Sequence, residues 1–248
     1  MHVVSAIAHR GFSAAAPENT LGAFNKAIEL SSDMMECDVR RTKDGHLVVI
    51  HDAVVDSTTN GTGVVADMSL AEIKELDAGS WFSPEFTGEH VPTLEEVLDL
   101  AKGKCKLIVE IKEPGLEDAV VDMINDREMH FEALIASFYY RIGVRMPELD
   151  EHILFVPLIY MAREVGEDEA VRLADEAAVV NGSVFGVNYG AISPALAKAT
   201  HMANMRLMAW TVDDKENMRR MVDAGVDMIA SNKLDLLLKV LSDMGVRG

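Results

Sequence analysis

Short apolar runs alternate with longer segments of helical period along the chain. Eight runs rich in Val, Ile, Leu and Met predict strands, because continuous apolar runs of this length are typical of strands buried on both faces of a parallel sheet. The predicted strands cover residues 3–8, 34–39, 106–111, 133–138, 153–159, 184–188, 206–212 and 226–230.

The segments between these runs predict helices, since their apolar residues recur at helical spacing. The predicted helices cover residues 20–30, 94–101, 116–127, 163–178, 194–202, 215–224 and 234–241. Thr93 and Glu96 have the spacing of a capping box, and Gly225 stands where a helix commonly ends in a left-handed residue. Repeated βα units predict an α/β fold, and 248 residues match the usual size of one (β/α)8 TIM barrel. We therefore expect a single domain over residues 1–248.

One connection breaks the βα rhythm directly after the second strand. Arg40–Lys43 leads into Asp44-Gly45 and then into an apolar run at residues 48–50. A turn this short returns the chain antiparallel, so we predict an extra β-hairpin. If Lys43 faces His46 across a two-residue loop, His51 lies opposite Asp38, or within about a residue of it should the turn contain a bulge.

The chain from about residue 53 to residue 91 is an expected insertion after the second strand. It is rich in Thr, Gly and Asp and carries one short helical pattern, at residues 70–77. Connections this long are uncommon in compact barrels unless they are functional.

The amino-acid composition limits the classes of binding partner and the cellular compartment that we expect. The chain has 23 basic and 41 acidic residues, a net charge of -18, which opposes binding to nucleic acid or to an anionic membrane surface. Two cysteines give no disulfide framework and favour a reducing compartment. No apolar run approaches the roughly 18 residues of a membrane span, and no targeting segment is recognisable, so we expect a cytoplasmic protein.

Acidic side chains fall where neighbouring predicted strands end. Glu36 and Asp38 lie two residues apart on the second strand and therefore point to the same face, and Glu110 lies near the end of the third. Strand carboxyl ends project into a shared site in a barrel, so the three acids predict a site for a hard divalent cation such as Mg²⁺ or Ca²⁺. The plainer interpretation is that each is only a solvated rim residue or a partner in an ion pair.

Basic and imidazole side chains accompany these acids at strand or hairpin ends. His9 and Arg10 close the first strand, Lys112 follows Glu110 on the same face, and His51 ends the hairpin. Histidine suits proton transfer near neutral pH, while Arg and Lys supply the local positive charge that phosphate binding would need in so acidic a chain. The combination favours an active site over a set of unrelated surface charges.

Ordered motifs run through nearly the whole chain. They are His9-Arg10-Gly11, Pro17-Glu18-Asn19-Thr20, Glu36-x-Asp38, Thr42-Lys43-Asp44-Gly45, His51-Asp52, Thr58-Thr59-Asn60-Gly61, Glu110-Ile111-Lys112, Ser137-Phe138 and Trp210-Thr211-Val212. In this order they resemble the glycerophosphodiester phosphodiesterase family. The chain departs from the family at Ala230-Ser231-Asn232-Lys233, where a Thr-Asp followed shortly by Pro is common, and at Ser57, where Arg is frequent.

The resemblance implies a role for each matched residue. Glu36, Asp38 and Glu110 match metal ligands, and His9 and His51 match a catalytic pair that acts as general acid and general base. Arg10 and Lys112 match phosphate-contacting positions. Trp210 matches a substrate-binding aromatic, although a Trp near a strand end is often simply part of the core.

By the same resemblance the chain is a hydrolase of lipid and glycerol metabolism, with a small-molecule phosphodiester substrate. It would convert glycerophosphodiesters to glycerol 3-phosphate and an alcohol with a divalent cation, Mg²⁺ or Ca²⁺. The residues leave open the head group, the cation, the oligomeric state, which histidine is the acid, and whether water or the glycerol 2-hydroxyl attacks first.

Two other functions compete with this one. A related phospholipase-type barrel acting on lysolipid or sphingomyelin would favour an apolar entrance, for which the insertion offers Trp81, Phe82 and Phe86. A non-catalytic barrel that binds a phosphodiester would not need both histidines.

The sequence leaves the roles of Glu18 and Asp52 undecided. Glu18 either supports the site or belongs to the helix start, and we favour Asn19 as the helix cap. Asp52 either orients a neighbour or ends the hairpin.

Overall fold

The computed structural model describes residues 2–247, and these form nine strands. The strands are β1 Ser5–Ala8, β2 Met34–Arg41, β3 Leu47–Val49, β4 Lys106–Ile111, β5 Ala133–Ser137, β6 Leu154–Ile159, β7 Val184–Asn188, β8 Arg206–Trp210 and β9 Met228–Ser231. All eight predicted barrel strands and the hairpin strand are present, with ends shifted by up to about two residues.

Nine α-helices lie within the same range. They are α1 Leu21–Glu29, α2 Leu70–Lys74, α3 Leu94–Ala101, α4 Glu117–Asn125, α5 Tyr140–Leu149, α6 Glu167–Val179, α7 Pro194–Met202, α8 Lys215–Ala224 and α9 Leu234–Asp243. The capping box of Thr93 and Glu96 and the left-handed Gly225 are confirmed. The cap predicted at Asn19 is wrong, because Thr20 caps α1 by accepting the Ala23 amide at 3.2 Å.

The strand order confirms the predicted TIM barrel. It runs β1-β9-β8-β7-β6-β5-β4-β2, and β1 also pairs with β2, so these eight strands close; β3 adds to β2 as a ninth. The chain divides into two compact units, Met1–Ile7 with Leu134–Gly248, and Ala8–Ala133. The single-domain organisation stays a prediction.

Helix α5 is not predicted by the sequence pattern. Its segment contains Gly143 and Pro147, which both disfavour helix interiors. A Cβ at Gly143 would lie 2.3 Å from the carbonyl oxygen of Val180 and 2.4 Å from the ring of Phe155. Close packing within this unit therefore accounts for the glycine, and tertiary contacts outweigh the weak local propensity.

The hairpin of β2 and β3 is antiparallel, but its register differs from the one predicted for a two-residue turn. Val39 pairs with Val49, and the Thr42 amide bonds to the His46 carbonyl, which leaves a three-residue loop. Gly45 takes the left-handed conformation, with φ of +92°, that such loops require. The Ile50 amide consequently bonds to the Asp38 carbonyl, and His51 lies one residue further along, within the bulge allowance.

The insertion forms a small folded layer on β3. It contains α2, shorter than predicted, and single 3₁₀ turns at Val65–Asp67 and Pro84–Phe86. Its apolar side chains bury one cluster with those of the hairpin. The members are Val48, Ile50, Val55, Val65, Ile73, Ala78 and Val91. This packing anchors the segment beside His51.

Gly11 holds the turn after β1 close to α1, and we expect Gly11→Ala to destabilise the fold by about 2–5 kcal/mol. Its φ is +76°, and an added Cβ would lie 2.7 Å from the backbone carbon of Ala23. Gly45→Ala is the matched control, because φ is +92° there but the added Cβ meets nothing within 4 Å. It should cost only about 1–2 kcal/mol. Urea unfolding measures both, and equal losses would contradict the close-packing explanation.

Candidate active site

Three buried acids form one cluster on adjacent strands. Parallel pairing of β2 with β4 sets Asp38 beside Glu110, and Glu36 lies two residues earlier on the same face of β2. Each acid offers a carboxylate oxygen within 4.8 Å of those of the other two. The barrel register thus gathers acids that lie far apart in sequence, as the strand pattern predicts.

The turn after β1 brings Arg10 onto this cluster. Arg10 has φ of +56°, a left-handed conformation that costs about 1–3 kcal/mol in a residue other than glycine. Its amide donates to Glu36 Oε2 at 2.9 Å, which helps to hold the turn. The guanidinium lies 3.2 Å from Asp38 through Nε and 2.7 Å from Glu18 Oε1 through one terminal nitrogen. Glu18 is therefore a partner of Arg10 and not part of the helix cap.

Lys112 supplies the second cation. Its Nζ lies 2.6 Å from Glu110 Oε1 and 3.3 Å from Asp38 Oδ1. Burial acts to lower the pKa of Lys112, but the carboxylates of Asp38 and Glu110 outweigh it and raise the pKa. The ammonium therefore stays charged inside the cluster.

Asn19 supports the cluster in a way the sequence does not reveal. Its side-chain amide donates to Asp38 Oδ2 at 2.8 Å, and its oxygen accepts the Asp38 backbone amide at 3.3 Å. Asn tolerates the left-handed conformation observed here, with φ of +57°, better than most residues do. That preference is the one local signal for Asn19 in the sequence. Asn is also common as a helix N-cap, so its presence before α1 does not by itself reveal the contact with Asp38.

The three acids differ in their affinity for protons. Burial, followed by the charges of Asp38 and Glu110, raises the pKa of Glu36 well above its ordinary value. Burial and the charge of Asp38 likewise raise the pKa of Glu110, to about 7. Burial acts to raise the pKa of Asp38 as well, but the charges of Lys112, Arg10 and His51 and the Asn19 amide lower it overall. Asp38 is thus the acid of the three that holds its proton least tightly.

The donor set fits a divalent cation. Glu36 Oε1 is buried and has no hydrogen-bond partner among the described residues, a costly arrangement for a carboxylate oxygen. A cation bound by the three acids would satisfy that oxygen and favour the ionised forms of Glu36 and Glu110. Oxygen ligands suit Mg²⁺ or Ca²⁺ and do not select between them.

The two histidines approach the cluster from different elements. His9 follows β1, and its Nε2 lies 3.9 Å from Glu36 Oε2. His51 follows β3, and its Nδ1 lies 2.8 Å from Asp52 Oδ1. Asp52 therefore contacts the imidazole next to it.

Trp210 lies at the end of β8, in the unit that contains residues 134–248. Its ring packs edge-on against Phe138, with centroids 5.7 Å apart. The indole nitrogen is buried and has no hydrogen-bond partner within the described chain. The other predicted site residues belong to the unit of residues 8–133, and a substrate-binding role for Trp210 stays a prediction.

A barrel with three clustered carboxylates, two half-buried cations and two nearby histidines has the composition of a metal-assisted hydrolase. A glycerophosphodiester phosphodiesterase of Caldanaerobacter subterraneus is 40% identical over 245 residues, 96% of this chain and 98% of the relative. A crystal structure of a glycerophosphoryl diester phosphodiesterase from Silicibacter pomeroyi, described as putative, has a TM-score of 0.87 at 26% identity. The match covers 99% of this chain and 95% of the Silicibacter pomeroyi chain.

A third similarity concerns an Oleispira antarctica phosphodiesterase solved in complex with its product sn-glycerol-3-phosphate. It is 26% identical, with a TM-score of 0.85 and 97% of each chain covered. The model of the glycerophosphoryl diester phosphodiesterase family matches residues 9–236. The chain belongs to this family and is a phosphoric diester hydrolase. Within residues 2–247, no helix combines the length and apolarity needed to span a membrane.

Proposed function

We propose that the chain hydrolyses glycerophosphodiesters to glycerol 3-phosphate and an alcohol, using a divalent cation and two histidines. The observation that carries the proposal is the cluster of three buried carboxylates with oxygens within 4.8 Å of one another. The product bound to the Oleispira antarctica relative supports glycerol 3-phosphate as the product here.

Glu36, Asp38 and Glu110 would hold the cation through their carboxylate oxygens. When bound, Mg²⁺ or Ca²⁺ would neutralise the negative charge that develops on the phosphoryl oxygens during hydrolysis. Asp38 is already ionised and is fixed by Asn19, so it forms the rigid part of the site.

Arg10 and Lys112 bind the phosphate in this proposal. The three acids and Glu18, which pairs with Arg10, are four carboxylates against these two cations, a net charge of -2 when all are ionised. A divalent cation offsets that charge, so that a singly charged phosphodiester is not repelled. The guanidinium offers paired donors and the ammonium a point charge, so both can turn from carboxylate to phosphate oxygens.

His9 and His51 carry the protons of the reaction. One takes a proton from the attacking hydroxyl, and the other gives a proton to the departing alcohol oxygen. The same pair serves direct attack by water and initial attack by the glycerol 2-hydroxyl, since each path needs one base and one acid.

We also propose a substrate-binding role for Trp210, in which its ring packs on the glycerol or alcohol group. We further propose that the protein acts in the cytoplasm, because its two free cysteines favour a reducing compartment. The proposed glycerophosphodiester substrate places it in lipid and glycerol metabolism.

A substrate panel tests the proposed function. Glycerol 3-phosphate release is measured from several glycerophosphodiesters with Mg²⁺ and Ca²⁺ separately, and EDTA is the metal-free control. Hydrolysis of lysolipid and of sphingomyelin is measured alongside. Release that EDTA abolishes supports the proposal. Turnover of lysolipid or sphingomyelin in its place would assign a phospholipase, and binding without turnover would assign a non-catalytic barrel.

Cation affinity should fall as the pH drops below about 7. The pKa of Glu110 is raised to about 7, and that of Glu36 is also raised, so at lower pH a cation must displace protons that these groups hold. We expect about tenfold weaker binding per pH unit for each proton displaced. Calorimetric titration at pH 8 and pH 6, in buffers of different ionisation enthalpy, measures affinity and proton release together. Equal affinity at both values would contradict the assignment.

A further inference from the structure

His51 belongs to a short chain of side-chain hydrogen bonds at the start of the insertion. Its Nδ1 lies 2.8 Å from Asp52 Oδ1, and the Ser57 hydroxyl donates to Asp52 Oδ2 at 2.6 Å. Arg40 Nε donates to the His51 carbonyl at 2.8 Å. Both the backbone and the ring of His51 are therefore held.

The partners of Asp52 differ from those of acids that merely shape loops. Asp77, in the same insertion, accepts the backbone amides of Gly79, Ser80 and Gly88 and so fixes a turn. Asp52 Oδ2 instead accepts from the Ser57 hydroxyl, and its Oδ1 lies within hydrogen-bond distance of the His51 imidazole, so both oxygens face side chains. This pattern is typical of a carboxylate that orients a histidine.

We propose that Asp52 is a positioning residue for the reaction, and that with Ser57 it holds His51 in the tautomer protonated at Nδ1. The inference rests on the proposed function, in which His51 exchanges a proton with the substrate. With Nδ1–H donated to Asp52, Nε2 is the nitrogen that accepts or releases that proton. The Nδ1 proton stays on the ring, and Asp52 stabilises the imidazolium that forms when Nε2 is protonated.

Ser57 suits this arrangement because its hydroxyl is neutral. It satisfies the second oxygen of Asp52 and leaves the full negative charge facing the imidazole. The hydrogen bonds from Ser57 and His51 lower the pKa of Asp52, so the carboxylate stays ionised near neutral pH. The His51 side chain is 34% exposed and that of Asp52 is 43% exposed, so water competes for the pair. Its stabilising contribution is therefore small, and orientation is its main effect.

Steady-state kinetics of the cation-loaded enzyme test the positioning role. Asp52→Ala and Asp52→Asn should lower kcat about 10- to 100-fold with KM within about twofold, because substrate contacts remain and proton transfer is misaligned. Ser57→Ala should lower kcat less, about two- to fivefold. Asp67→Asn is the matched control, an exposed acid of the same insertion, and should leave kcat unchanged. A kcat within twofold of the parent in both Asp52 variants would overturn the proposal.

Imidazole ¹⁵N chemical shifts provide a readout that needs no turnover. In the Mg²⁺-loaded parent the His51 signals, assigned by their loss in His51→Gln, should show protonated Nδ1 and unprotonated Nε2. Asp52→Ala should mix the two tautomers while the melting temperature changes little. A parent already protonated at Nε2, or a tautomer ratio unchanged in Asp52→Ala, would overturn the inference. Absence of glycerol 3-phosphate release by the parent would instead refute the proposed function, so the two failures are distinguishable.

Discussion

His51→Ala and His9→Ala are each expected to lower kcat by at least about 10²- to 10⁴-fold, the usual contribution of a positioned acid or base. His9 follows β1 and His51 follows β3, and neither residue lies within a strand or a helix. The substitutions should therefore leave the melting temperature nearly unchanged. Glycerol 3-phosphate release at saturating substrate and cation measures the effect.

His46→Ala is the matched control for both histidine variants. His46 is exposed in the hairpin loop, where its backbone amide is the group that bonds to Thr42 Oγ1. Its removal should leave kcat within about twofold of the parent. If either His9→Ala or His51→Ala behaved like this control, that histidine would lose its assigned role.

Glu36→Gln should weaken Mg²⁺ and Ca²⁺ binding by more than about 100-fold. Loss of a residue that only supports a metal ligand typically weakens binding by roughly 10- to 100-fold, and Glu36 is itself an assigned ligand. The amide has the shape of the carboxylate and can still accept the Arg10 amide, but it lacks the charge that a hard cation requires. Because the neutral side chain also removes a buried charge, the cation-free variant should be at least as stable as the parent. Calorimetric titration and thermal melting measure the two effects.

Glu75→Gln makes the same chemical change at an exposed acid of the insertion and serves as the control. Cation affinity should be unaffected there. Unchanged affinity in Glu36→Gln would show that the three acids do not form the cation site, whatever the activity of the variant.

The strand pattern predicts the site well where strand order alone decides position. Glu36 and Asp38 share a face because they are two residues apart on β2, and parallel pairing brings Glu110 to Asp38. Both facts follow from periodicity and from the convergence of strand ends in a barrel.

Features that depend on tertiary contacts could not be predicted from the sequence. The loop of the hairpin has three residues instead of two, which shifts its register by one. Helix α5 forms despite Gly143 and Pro147 because packing against Val180 and Phe155 overrides local propensity. Such contacts carry no local pattern that periodicity can detect.

The hydrogen-bond and ion-pair partners of the site residues could not be predicted from the sequence either. The pairing of Arg10 with Glu18, and of Asn19 with Asp38, joins residues 8 and 19 positions apart through left-handed turns. Pro17-Glu18-Asn19-Thr20 reads equally well as the start of a helix, and Thr20 does cap α1. The same four residues therefore serve the helix and the cluster, and the sequence shows only the helix.

An anomalous difference map from a crystal soaked in Mn²⁺ tests the central claim most directly, since Mn²⁺ takes the same oxygen ligands as Mg²⁺. The account predicts one strong peak bound by carboxylate oxygens of Glu36, Asp38 and Glu110, with His9 and His51 nearby and not ligating. A peak bound elsewhere, or no peak at a Mn²⁺ concentration that supports full turnover, would contradict it.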